Sequence, residues 1–167
     1  MAHLATCHSS GVIAQASGAA IAALQARAAA WEMPLIEQPD QIRLLIWGGE
    51  LRLTPAASSM RIDLFAPEQR LIGVLRDSAT EIFAEVGLTV DWQDLEVGAL
   101  APGLALMRVT DISRPSPSFL RVRLSGPEAA RFAIGSLHFR LLLPQPGRAP
   151  VWPRVSASGR TLWPEGA

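Results

Sequence analysis

The 167-residue sequence predicts an α+β fold, and three observations predict it. Apolar residues at three-four spacing run through 67–86 as one clean helical stripe. Ahead of that stripe, three short stretches alternate apolar and polar residues and are joined by tight connections, the pattern of an antiparallel meander. An Ala-rich helical pattern precedes the meander, so helix, strands and helix form a layer in which the helices cover one face of the sheet. After residue 90 the texture changes and the pattern becomes all-β. The expected organisation is therefore a small α+β unit over 1–94 and a second, antiparallel unit over 99–167.

The first helix is expected over 12–31, capped by Ser9 or Ser10. Ile13, Ala16, Ala20, Leu24, Ala28 and Trp31 fall at helical spacing, and its small residues suit a helix lying flat on a sheet. Pro34 and Pro39 bracket an extended piece at 35–38. In 41–47, Ile42, Leu44 and Ile46 share one side; Gly48-Gly49 can take the positive φ angles of a hairpin turn. Residues 50–54 return with Leu51 and Leu53 inward, and 59–65 form a third strand with Met60, Ile62 and Leu64 on one face. Pro67 suits the first position of a helix. Leu71, Ile72, Leu75, Ala79, Ile82, Phe83 and Val86 then form its stripe, and Gly87 is its stop signal.

Residues 91–103, with Trp92, three acids, Gly98, Pro102 and Gly103, read as a linker. Beyond it, strands are expected at 104–110 and 119–125, with a proline turn at 113–118 and one helical turn at 127–132. A further strand is expected at 137–143, where Leu137, Phe139, Leu141 and Leu143 alternate with His138, Arg140 and Leu142. A Pro/Gly-rich passage and a short Trp-Pro strand follow. No internal repeat is visible.

Composition narrows the function classes. Fifteen cationic side chains, all arginine, balance fifteen acidic ones, and the arginines are scattered. A nucleic-acid binder concentrates basic charge on one face, so that class is disfavoured. Cys7 is the sole cysteine, so no internal disulfide forms, in keeping with a reducing, cytoplasmic location. Residues 12–31 are too polar for a membrane span, and the start lacks the basic region of a secretory signal.

Read in order, Met107-Arg-Val-Thr-Asp, Phe119-Leu-Arg-Val-Arg-Leu-Ser-Gly-Pro-Glu, Phe132, His138-Phe-Arg-Leu-Leu-Leu-Pro, and Trp152-Pro through Gly159-Arg-Thr-Leu-Trp-Pro-Glu-Gly form a set. Over about 104–166 this set resembles the siderophore-interacting protein family, flavin-dependent ferric-siderophore reductases. The resemblance implies that 99–167 is the first part of a flavin-binding β-barrel. It also implies that FAD passes electrons from NAD(P)H to a ferric siderophore, releasing iron. The first ninety residues, through 49–83, resemble more weakly a small α+β domain of unknown function that is fused ahead of the reductase in some members. The family's main flavin signature, an Arg-x-Tyr-Thr/Ser-type run, and its nicotinamide-binding half have no counterpart here, and the chain contains no tyrosine. The expectation is a fragment of a longer protein or a truncated product. Its incomplete barrel should expose strand edges and favour self-association.

The candidate cofactor-binding residues are His138 and Arg140, on the polar side of the expected 137–143 strand; no catalytic or metal-ligating residue is assigned. His138 could border a flavin, but it also suits a polar outer position. Arg121, Arg123 and Arg140 could supply charge to a pyrophosphate or an anionic siderophore, but arginines on strand surfaces are most often solvated. Cys7 and His8, with His3, are too few for zinc. Adjacent Cys and His rarely meet in attack geometry. Glu81 and Glu85 read as the wet face of the second helix. The Pro-x-Pro pieces at 144–153 could imitate a polyproline ligand, although a barrel loop is the plainer reading. The other class of function is a non-catalytic binding or interaction module centred on the α+β unit.

Overall fold

The computed structural model describes residues 7–14, 18–133 and 140–165. Helices and antiparallel strands are combined, and the fold is α+β. The chain divides into two units: one within Met1–Gly103 and Trp152–Ala167, the other Leu104–Val151.

The first unit is a six-stranded sheet with two helices on one face. Its strands are β1 (Cys7–Ile13), β2 (Leu35–Gln38), β3 (Gln41–Ile46), β4 (Gly49–Pro55), β5 (Met60–Ala66) and β6 (Val90–Trp92); its helices are α1 (Gly18–Ala30) and α2 (Gln69–Ala84). The spatial order is β2-β3-β4-β5-β1-β6, and every pairing is antiparallel. The meander β2 to β5 and helix α2 follow the expected pattern. Alternation places Ile42, Leu44, Ile46, Leu51, Leu53, Met60, Ile62 and Leu64 in the core, against Leu24 and Ala28 of α1 and Ile72, Leu75, Ala79 and Phe83 of α2. Helix α2 ends as Gly87 predicts. Gly87 adopts φ 75, and Leu88 N–H returns to the Phe83 carbonyl at 2.9 Å, the closure of a left-handed C-cap.

The first twenty residues differ from the helix expected over 12–31. Strand β1 occupies Cys7–Ile13, and the helix begins only at Gly18. Ser9, Gly11 and Ile13 are its buried positions. Two of these are polar or lack a side chain, so no apolar alternation announces the strand. Both are explained by what lies over them. Ser9 meets the guanidinium of Arg76, whose Nη2 donates to Ser9 Oγ at 2.9 Å and to Asp94 Oδ2 at 3.2 Å; Ser9 Oγ donates in turn to Asp94 Oδ1 at 2.8 Å. Gly11 lies where β6 crosses closely: a Cβ there would stand 2.8 Å from Val90 Cγ1 and 2.9 Å from the Trp92 ring.

Residues 91–103 are likewise more than a linker. Trp92 is buried in the core, and its indole N–H donates to Thr80 Oγ1 at 2.9 Å. The 152–165 stretch belongs with this first unit, whereas the sequence placed it in a second unit over 99–167. Its hold is backbone pairing: Val155 N–H donates to Ala99 O at 2.9 Å, Gly98 N–H to Val155 O at 2.8 Å, and Ala101 N–H to Pro153 O at 2.9 Å. Strand β9 (Arg154–Val155) pairs with β10 (Thr161–Leu162). The Thr161 N–H then reaches Asp77 Oδ1 on α2 at 2.7 Å.

The second unit is a hairpin of β7 (Arg108–Ser116) and β8 (Phe119–Ser125), followed by a 3-10 turn at Ala129–Phe132. Strand β7 lies four residues beyond the start expected for it and runs through the expected proline turn as far as Ser116. Val109 faces Leu124 and Ile112 faces Val122, with a register shift between Val109 and Asp111. The shift is a bulge that keeps apolar residues on one face despite an odd spacing. That face is open: Ile112 is 61% and Leu120 58% exposed. Of the expected 137–143 strand, the described residues 140–143 form none; the remainder lies outside the described residues.

Replacing Gly11 with alanine forces β6 away from β1. Overpacking of this kind costs about 1–3 kcal/mol, and urea unfolding followed by tryptophan emission will show the midpoint fall.

Candidate functional site

The sheet face opposite the helices carries a connected set of polar groups. Alternation fixes it: with Ile62, Leu64, Leu51 and Leu53 turned inward, Arg61, Asp63, Phe65, Glu50, Arg52 and Thr54 must turn outward. The register lines them up as Glu50 beside Phe65, Arg52 beside Asp63, and Thr54 beside Arg61. His8 of β1 sits beside Phe65, and Arg43 of β3 beside Arg52. An open, shallow depression of about 490 Å³ lies here, lined in part by His8, Asp40, Arg52, Arg61, Asp63 and Phe65.

Two carboxylates organise this face. Arg43 and Arg52 are cross-strand neighbours, a repulsive pair of like charges. Glu50 bridges them. It takes a two-point contact from Arg43, Nε to Oε1 and Nη2 to Oε2, both 2.7 Å, and a further bond from Arg52 Nη2 to Oε1 at 2.9 Å. The hydrogen bonds from Arg43 are the chief cause holding the Glu50 carboxyl down at about 2, against an ordinary 4.5; partial burial opposes and Arg52 adds to them. The same contact raises the Arg43 guanidinium. Asp63, nearly buried, accepts from Arg61 Nη2 at 2.9 Å and from His8 Nε2 at 2.9 Å. A carboxylate accepts only, so Nε2 of His8 carries the proton in this contact. Phe65 lies between them in the cluster, with the His8 ring stacked on it at 4.8 Å and the Arg52 guanidinium 4.7 Å from its centroid.

A histidine oriented by a carboxylate is the arrangement of a positioned base. Thr54 lines the same depression, but no hydrogen bond joining it to His8 is formed among the described residues. Cys7 precedes His8 on the strand and so turns to the opposite side, half-buried. Among the described residues no group of three or more His, Cys, Asp or Glu could hold a metal ion. Every buried side-chain polar atom among them has a partner. The face is a cross-linked polar surface that lies open to solvent.

The candidates read from the sequence fall elsewhere. His138 lies outside the described residues. Arg140 is exposed on chain without regular structure. Arg121 and Arg123 project from β8 opposite Ser113 and Asp111, on the polar side of the hairpin and away from Val122. The described residues of this unit do not converge on a cradle for an isoalloxazine ring or a pyrophosphate. Its own depression is shallow and lined by Leu106, Met107, Arg108, Ser125, Gly126 and Pro127. Glu85, read as the wet face of α2, is exposed and holds Arg27 Nη2 at 2.7 Å. The outer-face cluster was missed as a site. Its signal is the polar half of the alternating strands, Arg43, Glu50, Arg52, Arg61 and Asp63.

No protein-family model matches the chain, and no curated protein matches it. Among solved structures, the NMR structure of PA4090 from Pseudomonas aeruginosa is similar at 13% identity and a TM-score of 0.43, over 53% of this chain and 97% of that one. Among the described residues no helix is long and apolar enough to cross a membrane.

Because the folded-state value for Glu50 is depressed, its contribution is complete above about pH 4.5 and is lost as pH falls toward about 2. Acid titration of stability by circular dichroism will show this limb in the wild type and a flatter one in Glu50→Gln.

Proposed function

We propose that this chain is the N-terminal part of a siderophore-interacting flavoprotein, and that within it the α+β unit is a binding module rather than a catalytic one. The observation that carries the reading is the β7–β8 hairpin. Its residues fall in the stretch that resembles the opening of the family's barrel, and it presents an apolar face with Val109, Ile112, Leu120 and Val122 exposed to solvent. A two-stranded hairpin is marginal alone and needs further strands on its apolar face. A barrel supplies them by closing. In such a protein FAD would carry electrons from a nicotinamide donor to a ferric siderophore in the cytoplasm. None of the residues brought together here performs that step.

The second reading, a non-catalytic interaction module with no flavin partner, draws on the outer sheet face. That face is fully cross-linked by Glu50 and Asp63 and presents a broad polar surface with no deep pocket.

Titration of FAD fluorescence separates the two. The product of the natural reading frame, carrying whatever sequence follows residue 167, is expected to quench FAD saturably and to copurify yellow. Residues 1–167 alone are expected to quench it little. A colourless full product that leaves FAD emission unchanged removes the flavoprotein reading and leaves the interaction module. Tight FAD binding by residues 1–167 would overturn the assignment of the flavin contacts to residues outside this chain.

A further inference from the structure

Trp47 occupies a position that works against stability, and burial does not repay it. The β3–β4 connection is the two-residue turn Trp47-Gly48, with φ 51 and φ 81. Positive φ at both positions is what a type I′ hairpin turn requires, and Asn, Asp or Gly fill the first position well. A bulky residue there is a conformational outlier. Trp47 is nevertheless 52% exposed. Its ring lies 5.8 Å from that of Trp31, tilted by 32°, and Trp31 is itself 40% exposed.

A second outlier supports the same pair. Helix α1 closes with Met33 N–H on Ala28 O at 2.9 Å and Glu32 N–H on Ala29 O at 3.3 Å. This closure places Glu32 at φ 52, where glycine is usual. The Arg27 guanidinium lies 4.7 Å from the Trp31 ring and is held by both oxygens of Glu85, at 2.7 and 2.8 Å. Glu32 and Trp47 are the two non-glycine residues with positive φ among the described residues. Both flank one solvent-facing pair of indoles. Strain at an exposed aromatic surface points to recognition.

The chain also carries a segment of matching chemistry. Pro144, Pro146 and Pro150 are exposed between Leu143 and Val151. The segment is preset by a turn in which Arg148 N–H meets Gln145 O at 3.2 Å and Gly147 takes φ 75. Proline rings dock on aromatic surfaces at low entropic cost because the backbone is already restricted. Arg148 is its cation; Glu32, beside Trp31, is an exposed acid.

We infer that the Trp31–Trp47 surface of one copy binds the proline-rich segment 143–151 of a second copy, proline rings against the indoles and Arg148 toward Glu32. Surface and segment are different parts of the chain, so each single contact is heterologous.

Sedimentation of residues 1–167 at rising concentration tests this, together with indole N–H signals during titration with a synthetic peptide of residues 143–151. The wild type is expected to associate with concentration, and the peptide to shift the Trp31 and Trp47 signals. Trp47→Asn is expected to abolish association and weaken peptide binding at least about tenfold. It should leave Tm unchanged or raised, since asparagine suits the turn. The combined change of Pro144, Pro146 and Pro150 to alanine should abolish association while the Trp31 and Trp47 signals stay in place. A wild type that remains monomeric, a peptide that moves neither signal, or association undiminished in Trp47→Asn overturns the proposal; the last result assigns association to the β7–β8 hairpin. A Tm loss in Trp47→Asn as large as that of a core truncation also overturns it, by making Trp47 a packing residue.

Discussion

The guanidinium of Arg76 is the constraint on which the first unit depends. It lies on α2 almost wholly out of water, at 7% exposure. A charge so placed must be compensated where it stands, because isolated burial costs several kcal/mol. Two separate stretches of chain supply the compensation: Ser9 from β1 and Asp94 from the residues after β6. The Trp92 ring lies alongside, 5.7 Å from the guanidinium. This arrangement selects the sheet order. With β1 anywhere but between β5 and β6, Ser9 would not reach Arg76 and Asp94 would lose its hydroxyl partner. The hydrophobic core favours a sheet under two helices in general; the polar triangle selects which strand occupies the last gap.

That division explains what could be read from the sequence. Strands β3 to β5 and helix α2 were legible because their apolar residues repeat over short distances and face one common core. Strand β1 was not. Its inward positions are Ser9, Gly11 and Ile13, and the first two are meaningful only beside Arg76 and Trp92, more than 60 residues away in the chain. Trp92 misled in the same way, since its run of acids, glycines and proline looks like a linker until the indole is seen in the core. The 152–165 stretch joins the first unit largely through its main chain, at Gly98, Ala99 and Ala101 and at Asp77 of α2, and such bonds leave little pattern in the sequence.

The site was less legible than the fold. The outer-face residues are visible as the polar half of each alternating strand, but their pairing depends on register. Glu50 neutralises Arg43 across a hairpin, and Asp63 joins Arg61 on its own strand to His8 on the neighbouring one. Register is a property of the assembled sheet, set by turns and by the buried face. The β3–β4 turn shows how fine this is. Gly48-Gly49 invited a turn at those two residues, yet the turn is Trp47-Gly48. One residue of difference puts Gly49 in β4 opposite Ile46 and leaves a tryptophan at the corner.

The place of β1 in the sheet bears on how the molecule is made. Residues 7–13 leave a ribosome well before their partners, which are 60–66 and 90–92. The meander can form from neighbours as they emerge. Strand β1 must wait until residue 92 has been made before both its edges are covered. Closing so long a loop is entropically costly and slow. During that interval the edges of β5 and β1 stand open to other nascent chains, which makes this central strand the step at which folding competes with aggregation.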